Sequence, residues 1–474
     1  MTSKIKVNTV TTESGSTLTL GESGKTVTLA SGASQTGFGR TGTVDWQTTI
    51  KTGDFTAANG EGYFVDTSSG AVTVTLPSSP SAGNIVAVKD YANTADTNSI
   101  TIARNGSNID GTANDPIIAN EGGSVTLIFA DSTKGWLVTD AAQKSDISFP
   151  TFIAATGGTV TTVCTNFKVH TFTGPGTFCV SCAGNAAGSN TLEYIVVAGG
   201  GGSKVAGGGA GGFRFASPSL APATYPGKPL AAPAGLTASV GAIPVTVGGG
   251  GAGTTNSCSP SPVAARGSNS IFSTITSTGG GAGGGRTCAS GPQQAAENAV
   301  NPGGSGGGGF TTPGGSGPAP TGNTPPVSPA QGKNGGTSSN QSTNAVGTGG
   351  GGGATAVGGN GATGPSSSGG TAGNGGDGAG IPTAFGSNGV PCGSFRFYAG
   401  GGGGGAQKNP VSAEDAGTGG KGGGGTGKKG TSGSAAPSGT ANSGGGGGGS
   451  GPSTACNQGG SGGSGIVIIR YKFQ

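Results

Sequence analysis

The chain closes on 459-GGSGGSGIVIIRYKFQ-474, where glycine gives way at once to Ile466-Val467-Ile468-Ile469. A continuous β-branched, apolar run of this kind is the signal of a strand buried on both faces. One strand cannot fold alone, so its apolar residues need a partner upstream. The best match is Tyr194–Ala198 in 191-TLEYIVVAG-199, which runs into glycine just as the closing stretch runs out of it. One strand leads away from a scaffold and the other returns to it, which predicts antiparallel pairing. Residues 199–465 then become one long excursion clamped at both ends.

That excursion is unusual in composition. The chain has 474 residues and 110 glycines. Of these, 87 fall in 199–465 and 23 in 1–198, against an ordinary level of about 7%. Three readings of such a region compete. It can be disordered, because few large side chains are present to offset chain entropy. It can be a flexible linker. Or it can be an ordered lattice of polyproline-II-like helices, about three residues per turn, with every backbone N–H and C=O pointing outward to a neighbour. In the lattice, positions facing a neighbouring axis must lack Cβ. A linker needs a domain at its far end, and here there is only one strand, so the clamp favours the lattice. Collagen is excluded, since GGGG runs break its Gly-X-Y period.

Upstream, the chain divides further. Residues 1–45 carry a nine-residue repeat, STLTLGESG (16–24) then KTVTLASGA (25–33), which is too short to fold alone. It predicts a β-repeat attachment or shaft segment sharing its core among several chains, a hint of a homotrimer. Residues 46–147 hold both tryptophans and six strand-like runs separated by turn signals, predicting a small β-sandwich or barrel. Residues 148–198 form a β scaffold in which KVHTFTGPGTFCV reads as a hairpin around Gly174-Pro175-Gly176. The expected fold is thus all-β and elongated, with 199–465 as lattice and loops and 466–474 as a strand pairing with 194–198.

Several function classes are disfavoured. A net charge of +4 over this length is no nucleic-acid footprint. No apolar run is long enough to span a membrane as a helix. MTSKIKVNTVTTESG lacks the apolar core of a secretory signal. Cys164, His170, Cys179 and Cys182 resemble a zinc set, but His170 alternates within a strand-like run. No metal and no cofactor are expected, and a disulfide within the Cys164/Cys179/Cys182 group fits an extracellular protein better. A polysaccharide-cleaving enzyme needs paired carboxylates. Residues 199–465 hold only Glu297, Asp377, Glu414 and Asp415, so no enzyme is expected.

The blocks HTFTGPGTF, EYIVVAGGGG, GGAGGFRF, IPVTVGGGGAG, SIFSTITSTGGG and GGSGIVIIRY, in this order, resemble the glycine-rich domain of bacteriophage tail-fibre and adhesin proteins over roughly 168–474. Through 64-FVDTSSGAVTVTLPSSPSAGNIVAVKD-90 and 100-ITIARNGSNIDG-111, residues 1–147 are similar to tail-fibre modules of cyanophages and other marine tailed phages. This resemblance implies a trimeric virion tail fibre outside the cell, with its N-terminus docked on other phage tail proteins. It further implies a polyglycine-II tip whose loops bind a host cell-surface receptor, either a polysaccharide or an outer-membrane protein. A purely structural neck or capsid fibre is the alternative. Connections rich in bulky or charged residues are the candidate tips: Arg286–Asn301, Phe310–Lys333, Ile381–Tyr398 and Gln407–Asp415. Within them, Phe310, Lys333, Phe385, Asn388, Arg396, Tyr398 and Lys408 are the receptor-binding candidates. Lys428-Lys429 reads as a solvated turn.

Overall fold

The computed structural model describes residues 43–142, 151–185, 188–254, 264–285, 301–310, 318–339, 346–363, 370–406, 416–430, 435–451 and 457–474. The repeat at 16–33 lies outside them. The fold is all-β, with several small sheets, no α-helix among the described residues and no closed barrel. Two compact units divide near residue 148.

The first unit contains β1 (Asp45–Trp46), β2 (Phe55–Thr56), β3 (Glu61–Val65), β4 (Val72–Thr75), β5 (Ile85–Asp90), β6 (Ile100–Ala103), β7 (Ile117–Ile118), β8 (Ser124–Asp131) and β9 (Gly135–Ala142). The chain alternates between two sheets. β1, β3 and β5 stack in parallel in one, and β2, β4 and β6 stack in parallel in the other. Each sheet then finishes antiparallel, through β8 and β9 or through β7. Val65, Val88 and Leu127 of one sheet and Val74, Ile100 and Ile102 of the other close a single core around Trp136. The two layers fit the sandwich half of the expectation. The parallel stacking is a difference, because the turn signals between runs look the same whether the next strand returns beside the last or crosses to the facing sheet.

The second unit contains β10 (Ile153–Thr156), β11 (Thr159–Val163), β12 (Phe167–Phe172), β13 (Gly176–Ala183), β14 (Thr191–Val197), β15 (Phe213–Ala216), β16 (Leu236–Thr237), β17 (Gly241–Thr246), β18 (Ser270–Phe272), β19 (Ile275–Ser277), β20 (Ala379–Pro382), β21 (Val390–Cys392), β22 (Phe395–Tyr398) and β23 (Ile466–Lys472). The central sheet runs β11-β12-β23-β14-β15, so the last strand of the chain lies in the middle, between β12 and β14. β14 and β23 pair antiparallel, from Glu193 opposite Arg470 to Val197 opposite Ile466.

Both faces of this sheet are covered, as its unbroken apolar runs require. Val467, Ile469 and Tyr471 join Tyr194 and Val196 against a second sheet, β10-β13-β17-β18-β19, represented by Phe178, Val180, Val245 and Phe272. Ile466 and Ile468 join Ile195 and Val197 on the other face, against Ile381, Phe385 and Tyr398 of the small sheet β20-β22-β21 and its 3-10 turn. The expected hairpin at Gly174–Gly176 is not one. β12 belongs to the central sheet and β13 to the second, so the Gly-Pro-Gly corner carries the chain between layers. Phe172 and Phe178 then fill the space between the layers from opposite sides.

One charged pair sits in this apolar setting. Arg470 and Glu193 are directly opposite across the strand pair and almost fully buried. The guanidinium donates to the carboxylate and to Ser219 Oγ, and stacks 3.6 Å above the Phe167 ring centroid. The second carboxylate oxygen accepts the Ser219 N–H. Because a one-residue slip would send Arg470 to the opposite face, the pair fixes the register in which the chain is clamped. Removing one partner strands a buried charge. Glu193→Gln is therefore expected to cost about 3–5 kcal/mol, read as a lower denaturation midpoint of the second unit.

Candidate functional site

Residues 207–212 show how the glycine region is built. Gly207 N–H donates to Gly349 O (3.1 Å) and Ala210 N–H to Gly352 O (3.0 Å). Gly208 and Gly211 address Gly447 and Gly444, and Gly209 and Gly212 address Gly281 and Thr278. Residues three apart reach the same neighbour, which is the signature of a helix with three residues per turn and no internal hydrogen bonds. One of these neighbours runs parallel to the segment and two run antiparallel. The carbonyls complete the surround: those of Gly207 and Ala210 accept from Gly308 and Ser305, that of Gly208 from Gly402, and that of Gly209 from Gly201. This helix is packed among six others, in a polyglycine-II lattice.

Packing at this distance explains the composition. A Cβ on Gly207, Gly208, Gly209 or Gly211 would lie under 3.0 Å from a backbone carbonyl of a neighbouring segment. None of these glycines has a left-handed φ. Glycine is required here by space and not by conformational freedom. Gly249 and Gly250 separate the cases. Nothing stands within 4 Å of a Cβ at 249, whereas at 250 the Gly462 carbonyl blocks it.

The segments alternate in direction, so one end of the lattice joins the sheets and the other does not. At the sheet end, Ala198 N–H donates to Gly212 O, Gly465 N–H to Gly248 O and Ala399 N–H to Ser443 O. At the far end, Thr254 meets Ser203, Val205 meets Gly284 and Gly405, Ser450 meets Lys204, Ala406 meets Gly430, and Ser339 meets Gly347. These far-end residues flank the stretches 255–263, 286–300, 311–317, 340–345, 364–369, 407–415, 431–434 and 452–456, which lie outside the described residues. Those stretches differ from one another in composition, as in RTCASGPQQAAENAV and QKNPVSAED.

The candidate residues do not gather there. Phe310 is at the far end, but its ring is buried against Val205 and Ala206. Phe385 and Tyr398 are buried under the central sheet, and the Tyr398 hydroxyl donates to Asn388 O at 2.8 Å. Burial drives the Tyr398 phenol well above its ordinary pKa. None of these three rings is available to stack on a ligand, which corrects the expectation for them. Asn388 donates to Thr171 Oγ1 of β12, and Arg396 lies half-buried in β22. The whole stretch Ile381–Tyr398 is thus scaffold at the sheet end. The neighbours Phe397 and Tyr398 are both buried, so this end of β22 is covered on both faces. Lys333 is half-buried at the sheet end, its carbonyl accepting from Gly306 and its N–H donating to Gly353. Lys408 lies outside the described residues. Lys428 and Lys429 are half-buried at the far end, beside Gly449 and Ala406.

The cysteine and histidine readings also find their places. Cys164, Cys179 and Cys182 are unpaired thiols, contrary to a disulfide within the group. Cys179 and Cys182 share β13, where three residues of extended chain span about 10 Å. His170 is fully buried. Its Nδ1 donates to Gly157 O at 2.7 Å, which leaves Nε2 to accept from the Tyr471 hydroxyl at 3.0 Å. The ring also meets Phe178 edge-on and stacks on Tyr471. Among the described residues no group of three His, Cys, Asp or Glu side chains could hold a metal ion.

These features define an all-β protein organised around a glycine lattice. Residues 172–472 match the glycine-rich domain family, and the chain belongs to that family. A comparison with curated proteins found no match.

Two outcomes follow from this geometry. Gly208→Ala and Gly250→Ala are expected to destabilise the second unit by about 1–3 kcal/mol each, while Gly249→Ala leaves its thermal unfolding unchanged. For His170, burial holds the pKa below its ordinary value of 6.5. The unfolded chain therefore takes up a proton before the folded one does, and stability is complete above that value and lost as pH falls below it. Denaturation midpoints measured from pH 7.5 down to 5.5 should decline in the parent chain, with a shallower decline in His170→Gln.

Proposed function

We propose that this protein is a virion tail-fibre protein that mediates host recognition and adsorption, through loops carried at the far end of the glycine lattice. The observation that carries the reading is the convergence of described segment ends at that end, each flanking a connection of different composition. The lattice is chemically plain and rigid, and its interior tolerates almost no side chains. Variation in sequence is therefore confined to the connections, which can change without disturbing what holds them. The ordered resemblance of 168–474 to phage adhesin tips supports the same reading. In this proposal the chain acts as a homotrimer without catalytic activity, its N-terminal part meets other tail proteins, and the receptor is a surface polysaccharide or an outer-membrane protein. Several weak contacts on linked copies raise the effective concentration of each.

Replacing 407-QKNPVSAED-415 or 286-RTCASGPQQAAENAV-300 with Gly-Ser linkers of equal length tests this directly. Adsorption of virions to host cells is expected to fall at least roughly tenfold, as the loss of linked contacts implies, with unchanged thermal unfolding. Normal adsorption by virions carrying both replacements would overturn the reading in favour of a purely structural fibre. Changes at the exposed Pro391 and Cys392 of β21 should leave host range unaltered.

A further inference from the structure

A cleft of about 220 Å³ opens at the end of the central sheet away from the lattice. It is formed where β14 begins and β12 and β23 meet it, closed by the 3-10 turn Pro218–Leu220. The residues lining it include Ser189, Thr191, Ser219, Glu193, Phe167 and Lys472.

The chemistry of this lining is specific. Glu193 is almost fully buried, yet it faces the cleft. One of its oxygens accepts the Ser219 N–H and the other accepts from Arg470. An ionised carboxylate has about four acceptor positions, so these bonds leave acceptor capacity on both oxygens. The Ser189 and Thr191 hydroxyls have no hydrogen-bond partner among the described residues, and each can donate or accept. Arg470 occupies one face of Phe167. The buried carboxylate is paired with the buried guanidinium, and the remaining cation of the lining, Lys472, holds its Nζ over the Phe152 ring, 5.3 Å from the centroid. An anionic ligand would meet Glu193, and a cationic one would compete with Arg470 for it. A neutral ligand with adjacent hydroxyls suits the polar groups on β14: O–H donors to the carboxylate, with further hydroxyls exchanged with Thr191 and Ser189.

We propose that this cleft is a binding site for a neutral polyhydroxylated ligand, a single saccharide unit with a vicinal diol held on Glu193. The site is separate from the far-end connections, and the inference does not depend on the tail-fibre reading. Glu193 cannot serve as the test residue, since its removal unpairs Arg470. Thr191→Val keeps shape and strand character while deleting one hydroxyl, and Ser189→Ala deletes the other.

The experiment is titration of the full chain with the methyl glycosides of glucose, galactose and mannose through the millimolar range, followed by calorimetry and by chemical shifts of residues 189–193. Saturable binding of at least one glycoside is expected, weakened roughly five- to tenfold by Thr191→Val as for one lost hydrogen bond, with unchanged thermal unfolding. The proposal is overturned if no glycoside binds saturably, or if Thr191→Val binds as tightly as the parent chain. Tighter binding of galacturonate or glucosamine than of the neutral glycosides would also overturn it.

Discussion

Everything in the second unit depends on how close backbone segments approach one another where there is no Cβ. In the lattice, the volume a side chain would take is already filled by a neighbour's carbonyl. This single exclusion sets the composition, the hydrogen-bond pattern and the placement of variety. Each segment spends its N–H and C=O groups on different neighbours in a three-residue cycle, so no pair of segments forms a sheet. Such an assembly has almost no hydrophobic core of its own. Small hydroxyls within it add to backbone interactions, as Thr348 Oγ1 does at Gly405 O and Ser450 Oγ at Lys204 O, each beside the N–H of its own residue.

A structure held mainly by backbone hydrogen bonds returns little net free energy per bond, so its ends must be tied. The central sheet does this. β14 leaves for the lattice, β23 returns from it, and the two lie side by side between two hydrophobic layers. The buried Arg470–Glu193 pair contributes uniqueness more than net energy, because it is satisfied in one register alone. The resulting division of labour is spatial. Packing residues accumulate at the sheet end, glycine fills the middle, and the described segments break off at the far end.

This division explains which readings of the sequence succeed. The closing IVII run demanded a partner, and the YIVV run supplied one of equal character, so their pairing was visible before any coordinates. Glycine runs without a collagen period, clamped at both ends, pointed to the lattice. The aromatic residues were misread because bulk and polarity look alike on a tip loop and on a scaffold hairpin. Phe385 and Tyr398 pack on Ile195 and Val197, residues about 200 positions away, and no local pattern announces that contact. Likewise, the Gly-Pro-Gly corner at 174–176 gives the turn but not the layer into which the chain turns.

Sequence alone determined the class of structure, because backbone geometry and side-chain volume act locally: β-branched runs make strands, and glycine without a Cβ permits close-packed extended helices. Which end of the lattice carries the sheets, which connections leave from the opposite end, and which strands face each other across a layer were decided only by tertiary structure. Those facts depend on contacts between residues far apart in the chain, as with Glu193 and Arg470 or Gly208 and Gly447. The cleft beside Glu193 is of the same kind. Its groups come from four separated stretches, each ordinary by itself, and only the folded sheet brings them together.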